Sequence, residues 1–139
     1  MTDRPAPEQP GSVLTAPDHS EGVDIERDVP MLSAISNAMV GLKKQFYGKG
    51  PSRARTFINE NYVFCVLEGG LTRNEETLLE AGKGRTVRDY RLEFQETMTK
   101  ATTEAVEQIT GRRVLTYNSQ MLFDPARSFE IFVLDEPPG

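Results

Sequence analysis

The chain of 139 residues has no tryptophan, one cysteine, one histidine and no long apolar run. Each scarcity removes a class of answers. Cys65 alone can form no internal disulfide and belongs to no thiolate metal set, so a reducing, cytoplasmic setting is expected, without a metal or cofactor. His19 lies in a polar segment with no partners to position it, which removes Ser/His/Asp and Cys/His catalysis. No stretch approaches the roughly 20 apolar residues that span a bilayer, and the N-terminus lacks the basic-then-apolar order of a secretory signal. A non-exported protein without direct membrane insertion is the expectation.

Positive charge is short as well. The chain carries 16 basic and 21 acidic side chains, for a net charge of -5. Asp3, Glu8, Asp18, Glu21, Asp24, Glu26 and Asp28, against Arg4 and Arg27, put that whole excess into residues 1–30; residues 31–139 hold 14 of each sign. A neutral domain lacks the cationic surplus that neutralises phosphates, so no nucleic-acid partner is expected. Residues 1–30 also hold five prolines and no aromatic residue. Such a segment buries too little apolar surface to offset its ordering entropy and reads as a disordered acidic tail. The folded unit is expected over 31–136, with 137–139 a disordered C-terminus.

Within that unit the periodicities are clear. Pro30 suits a first helical turn, and Leu32, Ile35, Met39, Leu42 and Phe46 recur at helical spacing up to a stop at Gly48. Lys43 and Lys44 fall in the last turn, where cations favour the helix dipole. A weaker strand over Arg53–Ile58 turns at Asn59-Glu60-Asn61 into the apolar run Tyr62–Leu67. Thr72 and Glu75 have capping-box spacing for a short helix. Thr86 and Asp89 repeat that pattern before a long helix whose core face would be Val87, Tyr90, Phe94, Met98, Ala101, Ala105 and Ile109. Gly111 ends it, Arg112–Phe123 alternates as a strand, Asp124–Arg127 turns, and Phe129–Leu134 is the last strand. The order α-β-β-α-α-β-β predicts an α+β two-layer domain: a mostly antiparallel four-stranded sheet with helices packed on it.

The chemical signals are modest. Gly48-Lys49-Gly50-Pro51 and Gly82-Lys83-Gly84-Arg85 are basic, glycine-bearing loops. Neither has the residues of a P-loop or of the dinucleotide fingerprint, so ATP or NAD chemistry has no support. Cationic loops and a free helix start do suit an anion. Lys49, Gly50, Arg53, Arg55, Lys83, Gly84, Arg85 and Arg88 are the candidate anion-binding residues, and solvated loop cations are the plainer alternative. Arg91 extends that patch or pairs with Asp89 or Glu96 at the surface. No catalytic residue is assigned. Cys65 reads as a buried, inert thiol, because reactive thiols need exposure and a cationic neighbour.

Gly48-Lys49-Gly50-Pro51, the strand Tyr62–Leu67, Leu71-Thr72 with Glu75, Val87-Arg88-Asp89-Tyr90-Arg91, and Thr110-Gly111-Arg112 through Ser119 to Phe132-Val133-Leu134 follow in an order that resembles the MpsC-like family. The resemblance covers about residues 31–135. It implies a cytoplasmic accessory or regulatory protein, without a catalytic residue, linked to a membrane ion or inorganic-carbon uptake system and partnered by a membrane-transport protein. A small-anion or nucleotide-phosphate sensor is the alternative, and an enzyme acting on an anionic metabolite a third. Finally, Tyr62–Leu67 and Phe129–Leu134 are apolar on both alternating faces, Glu130 excepted. Leu115, Tyr117, Met121 and Phe123 add to one side of the long strand. Helices cover one face of a two-layer domain, so a homodimer is expected to cover the other, unless the helix at 72–80 does so.

Overall fold

The structure, a computed structural model, describes residues 25–139, with side-chain surroundings from Val29 onward. Residues 1–24 of the expected tail, with His19, lie outside the described residues. The elements are α1 (Ile25–Tyr47), β1 (Arg53–Asn59), β2 (Tyr62–Glu68), α2 (Arg73–Glu80), α3 (Gly84–Thr110), β3 (Val114–Phe123) and β4 (Ala126–Leu134). The strands form one antiparallel sheet in the order β1-β2-β4-β3. This is the expected α+β fold.

The two halves of the chain meet at the centre of that sheet. Hairpins β1–β2 and β3–β4 each form locally, and β2 then pairs with β4, Phe64 opposite Ile131. Helices α1 and α3 cross one face. Against them Ile35 and Met39 of α1, Val63, Cys65 and Leu67 of β2, Val106 of α3, and Phe132 and Leu134 of β4 form the fully buried core. Alternation along a strand explains the selection: residues two apart point to one side.

Four boundaries or faces differ from the sequence expectation. Helix α1 starts at Ile25, upstream of Pro30, which sits inside it. Proline there removes one backbone bond, the one that position 30 would donate to the Glu26 carbonyl, and the helix continues through it. Helix α3 starts at Gly84, two residues before Thr86, with Lys83 at the N-cap and no side-chain cap. Its buried stripe is Val87, Arg91, Gln95, Met98, Thr102, Val106 and Thr110, while Tyr90 is 48% exposed. The helix is rotated by about one position from the purely apolar reading, which turns Arg91 inward to pair with Glu75 of α2. On β3, Tyr117, Ser119 and Met121 turn toward the helices, and a register shift between Val114 and Thr116 leaves Leu115 exposed.

The far face of the sheet carries no described helix. Helix α2 packs against α3. Phe57, Phe64 and Phe129 lie on that open face, with ring centroids 6.2 Å apart for the first pair and 5.6 Å for the second.

Candidate functional site

The polar chemistry of the domain collects at one end, where α1 stops, β2 ends and α2 begins. Thr72 caps α2: its hydroxyl accepts from Glu75 N at 3.2 Å, and Glu75 Oε1 accepts from Thr72 N at 2.8 Å. That reciprocal bond fixes the carboxylate, and the carboxylate then receives Arg91. Arg91 Nε donates to Oε2 at 2.5 Å and Nη2 to Oε1 at 2.6 Å, while Nη2 also donates to Gly70 O at 3.1 Å. Both residues are buried, Glu75 to 2% exposure and Arg91 to 5%. Burial alone would raise the Glu75 pKa, but the bonds from Arg91 and Thr72 and the charge of Arg91 outweigh it and hold the carboxyl below its ordinary value.

A second pair lies deeper. Glu130 on β4 is fully buried, and Lys43 of α1 reaches it with Nζ 3.4 Å from Oε2. Ser119 Oγ donates to Oε2 at 2.9 Å and the Tyr117 hydroxyl donates to Oε1, so both carboxylate oxygens are engaged. The Tyr117 hydroxyl is pushed well above the ordinary phenol value by burial, by the Glu130 charge and by that hydrogen bond. A buried charge is tolerated when paired and hydrogen-bonded, and here both conditions hold.

Tyr47 joins the two pairs. The Arg91 guanidinium stands 3.9 Å from its ring centroid and Lys43 Nζ 5.6 Å from it. The ring also packs on Phe94 at 4.7 Å. Its hydroxyl is buried with no hydrogen-bond partner among the described residues. Burial first, then the charges of Glu75 and Glu130, push its pKa to about 12, with Arg91 opposing.

Beside this cluster lies a void of about 10 Å³, lined by Lys43, Lys49, Pro51, Gly69, Gly70 and Arg91 among others. That is room for one water molecule rather than a metabolite. The backbone is drawn tight around it. A Cβ on Gly50 would lie 3.3 Å from Lys44 Cβ, and Gly70, at φ +88, would set a Cβ 3.3 Å from Pro51 Cα. The Gly-Lys-Gly-Pro sequence thus serves close passage of the loop between α1 and the Gly69-Gly70 turn.

The eight anion-site candidates are dispersed around this end. Lys49 lines the void and Gly50 closes the loop beside it. Arg53 and Arg55 lie on the open face of the sheet, where the Arg55 guanidinium stands 5.5 Å from the Phe57 ring centroid. Lys83, Gly84 and Arg85 are at the start of α3, and Arg88 stacks 4.9 Å over the Phe123 ring on the helical side. The void instead gathers Lys43, Lys49 and Arg91. Arg91 pairs with Glu75, not with Asp89 or Glu96. Sequence reasoning assigned Glu75 only to a cap and Lys43 only to a helix end, and it treated Glu130 as a break in an apolar face. The signals were present: Lys43 extends the Ile35–Met39 stripe, and Glu130 occupies a core-facing strand position.

The description "Na+-translocating membrane potential-generating system (MpsC)" matches residues 30–136, a span from early α1 past the end of β4. The chain belongs to the MpsC family. A relative, the uncharacterized protein YrhF of Bacillus subtilis (strain 168), is 29% identical over 96 residues, covering 68% of this chain and 79% of YrhF. No solved structure matches the chain. Among the described residues, no helix is long and apolar enough to cross a membrane.

Proposed function

We propose that this MpsC-family chain is a non-enzymatic, cytoplasmic accessory or regulatory protein of a membrane ion-translocating system. It works through protein contacts, with a membrane-transport protein and a second copy of itself as partners. The observation that carries this reading is the family match over residues 30–136, whose description names a sodium-translocating system. The placement of the ionisable groups supports it. Glu75 with Arg91, and Glu130 with Lys43, are engaged with each other inside the domain. Groups bound up in this way hold α1, α2, α3 and the sheet together and leave the exposed faces for recognition.

Crosslinking in the native host with a tagged chain, followed by mass spectrometry of the membrane fraction, tests the partner. The expected product joins this chain to an integral membrane ion transporter. Crosslinks to soluble proteins alone would overturn the reading.

One observation favours a second reading, a small-oxyanion sensor: Lys43, Lys49 and Arg91 line the same void. An oxyanion there would sit at the mouth, against Lys49. Phosphate or bicarbonate at 100 times its dissociation constant would then stabilise the domain by about 2.7 kcal/mol. Lys49→Ala would abolish that shift. An unchanged melting temperature with both anions would dispose of the sensor.

A further inference from the structure

The open face of the sheet has a pattern that a second copy of the same chain complements, an inference that rests on the proposal that the chain pairs with itself. Its cross-strand register defines four rows, read across β1, β2, β4 and β3. They are Arg53, Glu68, Arg127, Leu122; Arg55, Val66, Phe129, Gln120; Phe57, Phe64, Ile131, Asn118; and Asn59, Tyr62, Val133, Thr116. The central two columns, on β2 and β4, are apolar in three rows and carry one acid and one base in the first. Polar residues of β3 flank one side, and the arginines mark one end. Tyr62 is 53% exposed, and Ile131 and Leu122 are also exposed.

We infer that two chains pair through this face about a two-fold axis lying parallel to the strands and running between β2 and β4. Rotation about that axis lays β2 over the partner's β4 and keeps each row at its own end. Val66 then meets the partner's Phe129, Phe64 meets the partner's Ile131, and Tyr62 meets the partner's Val133. Glu68 falls opposite the partner's Arg127, and the same contact recurs by symmetry. Arg53 comes over the partner's Leu122 and Arg55 over the partner's Gln120, so no like charges face each other. The other in-plane axis, across the strands, would set Glu68 over the partner's Tyr62 and Arg127 over the partner's Val133, leaving both charges unmatched. The charge pattern therefore selects the axis.

Within one chain Glu68 and Arg127 sit side by side in the β2–β4 register yet form no ion pair. Arg127 Nε is buried and has no hydrogen-bond partner among the described residues. A carboxylate from the facing sheet would pair with the outer nitrogens of that guanidinium, for which no ion pair is formed among the described residues of the chain. The size also suffices. Four strands by four rows span about 19 by 27 Å, or about 500 Å² in plan on each copy. Two corrugated faces of that extent together clear the roughly 1,000 Å² that a specific interface needs. Sheets stacked face to face lie about 10 Å apart and cross at about 30°, so register is best kept near the axis, in the two columns that match best.

Sedimentation equilibrium of the full chain, with light scattering over 1 to 100 µM, tests the pairing on the order of ordinary homodimer affinities. The expected mass is twice the 15.5 kDa of the chain. Glu68→Arg and Arg127→Glu should each weaken association by about tenfold or more, because each sets like charges together twice per dimer. The double variant Glu68→Arg with Arg127→Glu should recover most of the loss. Because the two residues are also neighbours within one chain, single variants whose melting temperatures match wild type at a concentration where all are monomeric show that pairing and not folding was lost. A wild-type monomer at the highest concentration overturns the inference, as does a dimer indifferent to both single variants. Neither outcome bears on the membrane partner, which the crosslinking experiment reads separately.

Discussion

At the scale of residues, the domain depends on a few charges that water does not reach. The Arg91 guanidinium serves the Glu75 carboxylate, the Gly70 carbonyl and the Tyr47 ring at once. Arg91→Ala would leave Glu75 buried without a counter-charge, and the expected loss is about 3–5 kcal/mol in urea unfolding. Arg91→Lys should recover little, because an ammonium cannot make the forked contact. The pH dependence follows from the lowered Glu75 pKa. A carboxyl whose folded value lies below its unfolded one adds stability that is complete above the ordinary value of 4.5 and is lost as pH falls through the folded value. Wild type should therefore lose more melting temperature between pH 6 and pH 3, a range bracketing that carboxylate value, than Glu75→Gln does. Equal losses would show that Glu75 is not the coupled group. Cys65 is the inert counterpart. Burial pushes its thiol to about 11, only partly offset by the hydroxyl of Thr56 donating at 3.4 Å. At pH 8, near the ordinary thiol value, a thiol reagent should label it only after unfolding, and rapid native labelling would contradict its burial.

At the scale of elements, the tightest constraint is the crossing of the Gly48–Ser52 loop over the Gly69-Gly70 turn. Gly70 has φ +88 and backbone of Pro51 against it, whereas Gly82 has φ +79 and open space. Gly82→Ala should cost about 1 kcal/mol from the left-handed conformation alone, and Gly70→Ala clearly more. Denaturation midpoints with unchanged m-values would show the difference, and equal costs would mean that the crossing is slack. Order and type of all seven elements were legible in the sequence, because α1 and the strands keep clean periods of 3.6 and 2. The stripe of α3 was not. Arg91, Gln95 and Thr102 occupy buried positions, so apolar periodicity settles on the neighbouring row that includes exposed Tyr90. The same blindness hid Glu130 and Lys43. Pairing between elements far apart in the chain makes such residues tolerable inside, and no local window contains both partners. The close approach of backbone at Gly50 and Gly70 was not legible either, because the segments that meet there are far apart in the chain.

At the scale of the whole molecule, one face of the sheet builds the core and the other is covered by no described helix. The helical side is closed by α1 and α3 and fastened at one end by two ion pairs. The open side carries the aromatic and charged rows suited to a second copy, and the assembled pair would present its helices outward to a transport partner. A chain beginning at Ile25 should keep a cooperative melt, since the described fold starts there. Loss of cooperativity in that truncation would tie residues 1–24 to folding. The proposed role of this MpsC-family chain, support of a membrane ion-translocating system, makes membrane potential depend on it. The most direct measurement is membrane potential, read with a voltage-sensitive dye in sodium-containing medium, in the native host with and without the gene. The expected result is a lowered potential in the deletion strain, restored by the wild-type chain supplied in trans. A potential unchanged by deletion at every sodium concentration would contradict it.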